Sequence, residues 1–294
     1  MNFLTLSPLH HHLDRPGLAA RALALGILLL IPARGAFAQP QAALERIEAE
    51  QLVFLLQYIA VDYGAAVQDG AVVNPFEYQE MRRFSQLLVE HVDDLQTSGA
   101  PEEIRTGILQ LREEIRGTRP WTEVRALASD LAGKLVGELG LSVSPAVAPD
   151  LDRGRRFYGQ VCATCHGASG GGDGPSAPGM DPPPTSLSDP RMNLVSPHQL
   201  YGAIKFGIEG TAMPSYEGEL DPETIWDLSF FILTLRSGFA PRPPEQELPL
   251  TLADLARHSN EDLRALLRDL RVDADPGHID YYRESPESMR PVAL

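Results

Sequence analysis

The chain has 294 residues, with 40 acidic side chains against 25 lysines and arginines and a formal charge of −15 at neutral pH. That balance excludes binding to nucleic acid through its phosphates. Beyond the first forty residues, no apolar run reaches the roughly eighteen that mark a membrane-spanning helix.

Arg15 and Arg21 precede a short apolar run, residues 22–31, and Ala36 and Ala38 supply the small residues a signal peptidase requires. The run is too short to cross a bilayer comfortably. Residues 1–38 are therefore expected to be a cleaved signal peptide, releasing a soluble periplasmic protein with no transmembrane segment; an uncleaved anchor is the alternative. His10, His11 and His12 lie in the discarded part. Cleavage leaves 39 acids, 22 basic residues and a balance of −17, with Lys134 and Lys205 as the only lysines. Such a surface suits basic partners, simple solvation or capture of cations. A mature chain of this length is expected to form two compact units.

Residues 39–143 read as an antiparallel helical bundle. Leu52, Leu55, Leu56, Ile59 and Tyr63 mark one helix, and Met81, Phe84, Leu88 and Leu95 a second. Ile104, Ile108, Leu111 and Ile115 mark a third, and Val124, Leu127, Leu131, Leu135 and Leu139 a fourth. Each spacing alternates threes and fours, and the breaks at "QDGAVVNPF", "TSGAP" and "RGTRPW" are short enough to make neighbours antiparallel. His91 falls on the apolar stripe of the second helix and is expected to pack. Glu77 and Glu80, three apart at the head of that helix, share a face and are a candidate cation site, although acids in a first turn commonly just complement the helix dipole. Residues 144–149 form a small-residue linker.

Both cysteines sit in "QVCATCHGASGGGDG". A disulfide between Cys162 and Cys165 would close a very short loop and stabilise little. A thioredoxin-like pair belongs near a βαβ pattern that is missing here, and a structural zinc would lack cysteine ligands. The remaining reading is Cys-x-x-Cys-His as a c-type haem attachment, each thiol adding across a vinyl group and His166 close enough to reach the iron. An independent signal lies about fifty residues on, where Met213 precedes Pro214 in the Gly-rich "FGIEGTAMPSY", a poor place for a methionine used as core filler. The glycines at 170–172 have no following Gly-Lys-Ser/Thr, so they read as a turn packed against haem rather than a phosphate loop. In the last helix of this unit, Asp221, Pro222 and Glu223 read as N-cap, N1 proline and first-turn acid. Gly154 and Tyr158 share one helix face, as do Leu228 and Phe231. Trp226 faces either the haem or the core.

Residues 151–237 resemble the class I cytochrome c domain. The likeness is carried by "DRGRRFYGQVCATCHG", "GDGPSAPGMDPPPTSL", "GTAMPSY" and "DPETIWDLSFFILTLR". It implies an all-α domain, residues 150–240, with one covalent haem c on Cys162 and Cys165. It also implies His166 and Met213 as axial iron ligands, and a carbonyl within residues 182–184 accepting the proximal imidazole N–H. Histidine and methionine together close the iron to oxygen and favour single-electron transfer. Covalent haem also agrees with export, because it is attached outside the inner membrane.

The run "LLQYIAVDYGAAVQDGAVVNPFEYQEMRRFSQLL" resembles the extracytoplasmic region of bacterial proteins that fuse a cytochrome c domain to a high-affinity iron permease. The permease's own membrane helices are missing from the sequence. The resemblance therefore implies a redox partner of a separately encoded permease, accepting the electron of ferrous iron. The alternative is a general periplasmic electron carrier whose bundle docks another dehydrogenase or oxidase. A module using haem only as structural glue is disfavoured. No enzymatic residue is expected apart from this electron transfer. Residues 241–294 read as an extension with short amphipathic helices, its last twenty residues along the surface or loose. "RESPE", residues 283–287, matches an iron-permease pattern, but its polar setting and Pro286 make it a coincidence.

Overall fold

The structure, a computed structural model, describes residues 38–96, 102–236, 238 and 240–289. Nearly all of the expected signal peptide, residues 1–37, lies outside them, and so does the side chain of Leu95. The described part is all-helical apart from one two-residue hairpin, with a helical bundle followed by a cytochrome-like unit.

The bundle is α1 (Ala38–Ala66), α2 (Pro75–Gln96), α3 (Glu102–Arg116) and α4 (Trp121–Glu138). Leu52, Leu56, Ile59, Tyr63, Met81, Phe84, Leu88, Ile104, Ile108, Leu111, Ile115, Val124 and Leu135 bury together as its core. Leu139 departs from the expected stripe: it stands at the C-cap of α4, exposed, and Leu141 beyond the turn enters the core instead. The break after α1 holds a strand pair, β1 (Val67–Gln68) against β2 (Ala71–Val72), turning at Gly70. Asn74 then caps α2 by accepting from the Phe76 and Glu77 amides. His91 is partly exposed.

The second unit runs through α5 (Leu151–Phe157), a π-turn (Tyr158–Cys162), α6 (Ala163–His166), a 3-10 turn (Pro190–Leu194), α7 (Pro197–Phe206) and α8 (Pro222–Leu233). α5 crosses α8 closely because position 154 has no side chain: a Cβ there would stand 2.4 Å from the Asp227 carbonyl oxygen. Tyr158 stacks obliquely on Phe231 at 5.4 Å and donates to the Gly167 carbonyl at 2.7 Å, which fixes the end of α6. Asp227, 1% exposed, accepts from the Asp150 amide at 2.7 Å and pairs with Arg153, locking the head of α5 onto α8. The cap of α8 is Asp221, bonded by the Thr224 amide at 2.8 Å, with Pro222 at the first helical position.

Bundle and cytochrome unit meet on α7. Gly202 lets α1 approach, since a Cβ there would stand 2.7 Å from the Phe54 ring. His198 Nδ1 lies 2.9 Å from Gln57 Oε1, Gln199 donates to the Gln57 carbonyl at 3.0 Å, and Lys205 pairs with Glu50 at 2.5 Å. One of the two lysines of the chain is thus spent on this seam.

The extension is better packed than its sequence suggests. α9 (Leu252–Arg257), α10 (Asn260–Asp269) and α11 (Pro276–Glu284) bury Leu255, Leu263, Ile279 and Tyr282 against Trp226 and Phe230 of α8. The expectation that the last twenty residues lie along the surface or loose is therefore corrected for residues 275–289, which contribute Ile279, Tyr282 and Arg283 to a buried core. Ile279 is fully buried and Arg283 is 1% exposed, its guanidinium donating to Asn260 Oδ1 at 3.1 Å, to the His258 carbonyl at 2.6 Å and to the Leu255 carbonyl. Arg283 is the polar centre of a small core, and α11 ends just before Pro286.

Candidate functional site

The backbone widens into the π-turn at Tyr158–Cys162 and tightens again through α6, so Cys162, Cys165 and His166 line one cavity of about 720 Å³. The two thiols are not joined in a disulfide. Burial pushes the Cys162 thiol up to about 11, the opposite of the depressed value that a redox-active pair needs.

His166 Nδ1 lies 3.0 Å from the carbonyl oxygen of Thr185. A carbonyl can only accept, so Nδ1 carries the proton and Nε2 keeps its lone pair for a metal. The acceptor is thus one residue beyond the expected 182–184 stretch. The Pro184 carbonyl is turned toward Gly172 instead, 2.5 Å from where a Cβ would stand. The glycine turn itself is pinned, with the Gly172 amide on the His166 carbonyl at 2.8 Å and the Leu187 amide on Gly170 at 2.6 Å.

Met213 lines the same cavity from the loop after α7. Thr211 organises that loop: its hydroxyl donates to the Ile208 carbonyl at 2.8 Å and accepts from the Met213 amide at 3.1 Å. Gly207 is required at its start, with φ of +70° and a notional Cβ only 2.7 Å from Pro214. The Ser215 hydroxyl and Tyr216 amide tie the far end back to the Lys205 and Ile204 carbonyls. From the bundle, Arg83 donates to the Glu209 carbonyl in mid-loop.

The cytochrome side of the cavity is apolar, built from Leu187, Met192, Leu200, Ile204 and Ile232. Two thiols, an imidazole with Nε2 free, a thioether and an apolar wall suit a covalently held haem. Trp226 and His198 are absent from this lining. They face a second cavity of about 630 Å³ on the other side of α7, where Trp226 packs on Tyr201 at 4.5 Å.

The opposite wall belongs to the bundle and is acidic. Asp62 of α1 and Glu77 and Glu80 of α2 all line the cavity, with Tyr58 beside them and Arg191 of the 3-10 turn as the facing cation. Burial, then the neighbouring Glu77, pushes the Asp62 carboxyl up to about 7. Glu77 is raised by burial, and Glu80 by burial and Glu77. Tyr58 donates to Glu80 at 3.4 Å and is raised well above its ordinary value, first by burial and then by Asp62. Among the described residues, no three histidine, cysteine or carboxylate side chains converge closely enough to hold a metal ion. The trio is an electronegative wall, not a ready-made chelate. Sequence reasoning singled out Glu77 and Glu80 but missed Asp62. The available signal was an acid in the otherwise apolar run "YIAVDYGAA", one helical turn from Tyr58.

Residues 39–135 match the family of the iron permease-associated 4-helix bundle domain, and residues 149–232 that of cytochrome c oxidase, cbb3-type, subunit III. The chain joins an iron permease-associated bundle to a cytochrome c domain. Its cytochrome c domain implies haem c. No curated protein matches. Among solved structures, a chain of the Kuenenia stuttgartiensis reducing HAO-like protein complex is 26% identical, with a TM-score of 0.31. The alignment covers 41% of this chain and 65% of that one.

Proposed function

We propose that the protein is an exported mono-haem cytochrome that accepts, one at a time, the electrons of ferrous iron on behalf of an iron permease. Cys162 and Cys165 would carry the haem, and His166 and Met213 would ligate its iron. A haem so held would supply single-electron transfer. Each iron(II) becomes iron(III) as one ferric haem becomes ferrous.

The observation that carries this reading is the shared cavity. Carboxylates of the permease-associated bundle, Asp62, Glu77 and Glu80, line the same space as the Cys-x-x-Cys-His motif. They attract a divalent ion without chelating it, which suits a cation taken up hydrated and passed on.

Two measurements test it. A haem-stained band on a denaturing gel is expected from the full chain and lost in Cys162→Ser/Cys165→Ser, while Met213→Ala keeps the band and loses the long-wavelength sulfur-to-iron absorption. Oxidised full-length protein mixed anaerobically with iron(II) is expected to be reduced with a rate that saturates in iron. That saturation should disappear in Glu77→Gln/Glu80→Gln. A simple second-order reduction, equal in both proteins, leaves the general electron carrier as the better account. Export is checked by sequencing the amino terminus of periplasmic protein, which should begin at Gln39.

A further inference from the structure

We propose that Asp62 is a proton-binding site coupled to the haem, taking up a proton from solvent when the haem gains an electron and releasing it on oxidation. The bundle would then tune the cofactor, in addition to any role in bringing iron to it. The inference depends on haem occupying the cavity but not on iron as the donor; any one-electron reductant, including an electrode, serves.

The geometry supports it first. Asp62 lines the cavity shared by Cys162, Cys165, His166 and Met213, and among the described residues it makes no hydrogen bond or ion pair. A carboxylate with no fixed partner, partly withdrawn from water, responds to charge added nearby. The groups facing it are Tyr58 from its own helix, Glu77 and Glu80 from α2, and Arg191 with Asp189 from the 3-10 turn. The His166 ring is oriented by its Nδ1–H on the Thr185 carbonyl. Haem adds two propionates. The only cation among these protein groups, Arg191, is shared with Asp189 at 3.4 Å, so it does not fix Asp62 as an anion.

The charge balance follows. With neutral imidazole and thioether ligands, the iron and porphyrin ring change from one net positive charge to none on reduction. Losing that charge removes a reason for Asp62 to stay ionised, and the proton comes from water through the partly open cavity. In the structure as described the Asp62 carboxyl already titrates at about 7, so the coupling falls in the physiological window.

The experiment is a spectroelectrochemical titration of full-length holoprotein between about pH 5 and pH 9, as the range of side chains that titrate near neutrality requires. The wild-type potential is expected to fall with rising pH. Its steepest slope should approach a tenfold change in the reduction equilibrium per pH unit, about 59 mV. Asp62→Asn should flatten this slope with an unchanged haem spectrum. Glu77→Gln should keep the slope but move it to lower pH, since a neighbouring negative charge is gone. A redox infrared difference spectrum of wild-type protein provides a reading that needs no variant: a protonated-carboxyl band should appear on reduction and shift when aspartate is labelled with carbon-13. A flat wild-type profile, an equal slope in Asp62→Asn, or a carboxyl band indifferent to the label would each overturn the proposal, the last two moving the proton to a propionate or a glutamate.

Discussion

In the C-terminal extension, Arg283 spends its guanidinium on Asn260, Leu255 and His258, and Asp280 holds both Arg236 and Asn260. At the cavity of the Cys-x-x-Cys-His motif, among the described residues, Asp62 has no such partner, and Glu80 has only Tyr58 at 3.4 Å and Arg83 at 3.6 Å. Both regions remove charge from water, and the physical signatures differ. In the extension burial pulls Arg283 down to about 9, yet it stays charged because each of its three nitrogens has an acceptor. In the cavity burial pushes the carboxyls toward their neutral form. A buried charge that is fully bonded holds a fold together; one left partly bonded beside an open cavity is available for chemistry.

Removing a bonded charge from the extension should produce the largest loss. Arg283→Met leaves Asn260 and two carbonyls without their donor and, at about 1–3 kcal/mol for each orphaned acceptor, should destabilise the protein by several kcal/mol, read as a lower midpoint in chemical denaturation. A loss under about 1 kcal/mol, the scale of an ordinary surface pair, would erase the contrast.

The seam between bundle and cytochrome unit holds an intermediate case. Burial, with Arg257 adding to it, lowers His198 to about 4. Because the folded pKa lies below the ordinary 6.5, the unfolded chain binds the extra proton, and stability falls as pH drops from about 6.5 to about 4. The loss is on the order of 3 kcal/mol. His198→Gln should remove that limb of the stability profile. Lys205 and Glu50, a half-sheltered pair on the same seam, should contribute about 1 kcal/mol, read as the loss in Glu50→Gln.

The smallest effect is the most diagnostic, because its sign is reversed. Asp62 has a raised folded pKa, so the folded state holds the extra proton and stability falls as pH rises from about 4 to about 7. The full linkage for a shift of that size is about 4 kcal/mol; Asp62 is only partly buried, and with solvent screening the gain of Asp62→Asn over wild type at pH 8 should be on the order of 1 kcal/mol. Thermal unfolding at pH 5 and pH 8 checks it; a loss at both would place Asp62 with the bonded charges.

The bundle's core was legible because a 3.6-residue period is local information: Leu52, Ile59, Phe84, Ile108 and Leu131 all fall inside as their spacing demands. Within the cavity, Cys162, Cys165, His166 and Met213 were legible because thiols, imidazole and thioether at those spacings have few other uses. The carbonyl of Thr185 was not, since every residue has a carbonyl and its direction is set by the loop's closure on Gly170 and Gly172. Asp62 was hidden for a related reason. Its significance comes from α2 and the 3-10 turn, both distant in sequence. The extension misled because its helices are short and polar in composition, and its buried Arg283 reads as surface until Asn260 and Asp280 are brought to it.

Arg83 holds the loop of Met213 at the Glu209 carbonyl, from a helix that belongs to the other half of the molecule. With Met213 on the iron, as proposed, that contact makes colour a strain gauge. A permease that shifted α2 would tug on the loop, and a weakening of the thioether bond would be visible in the absorption of the protein before any electron had moved.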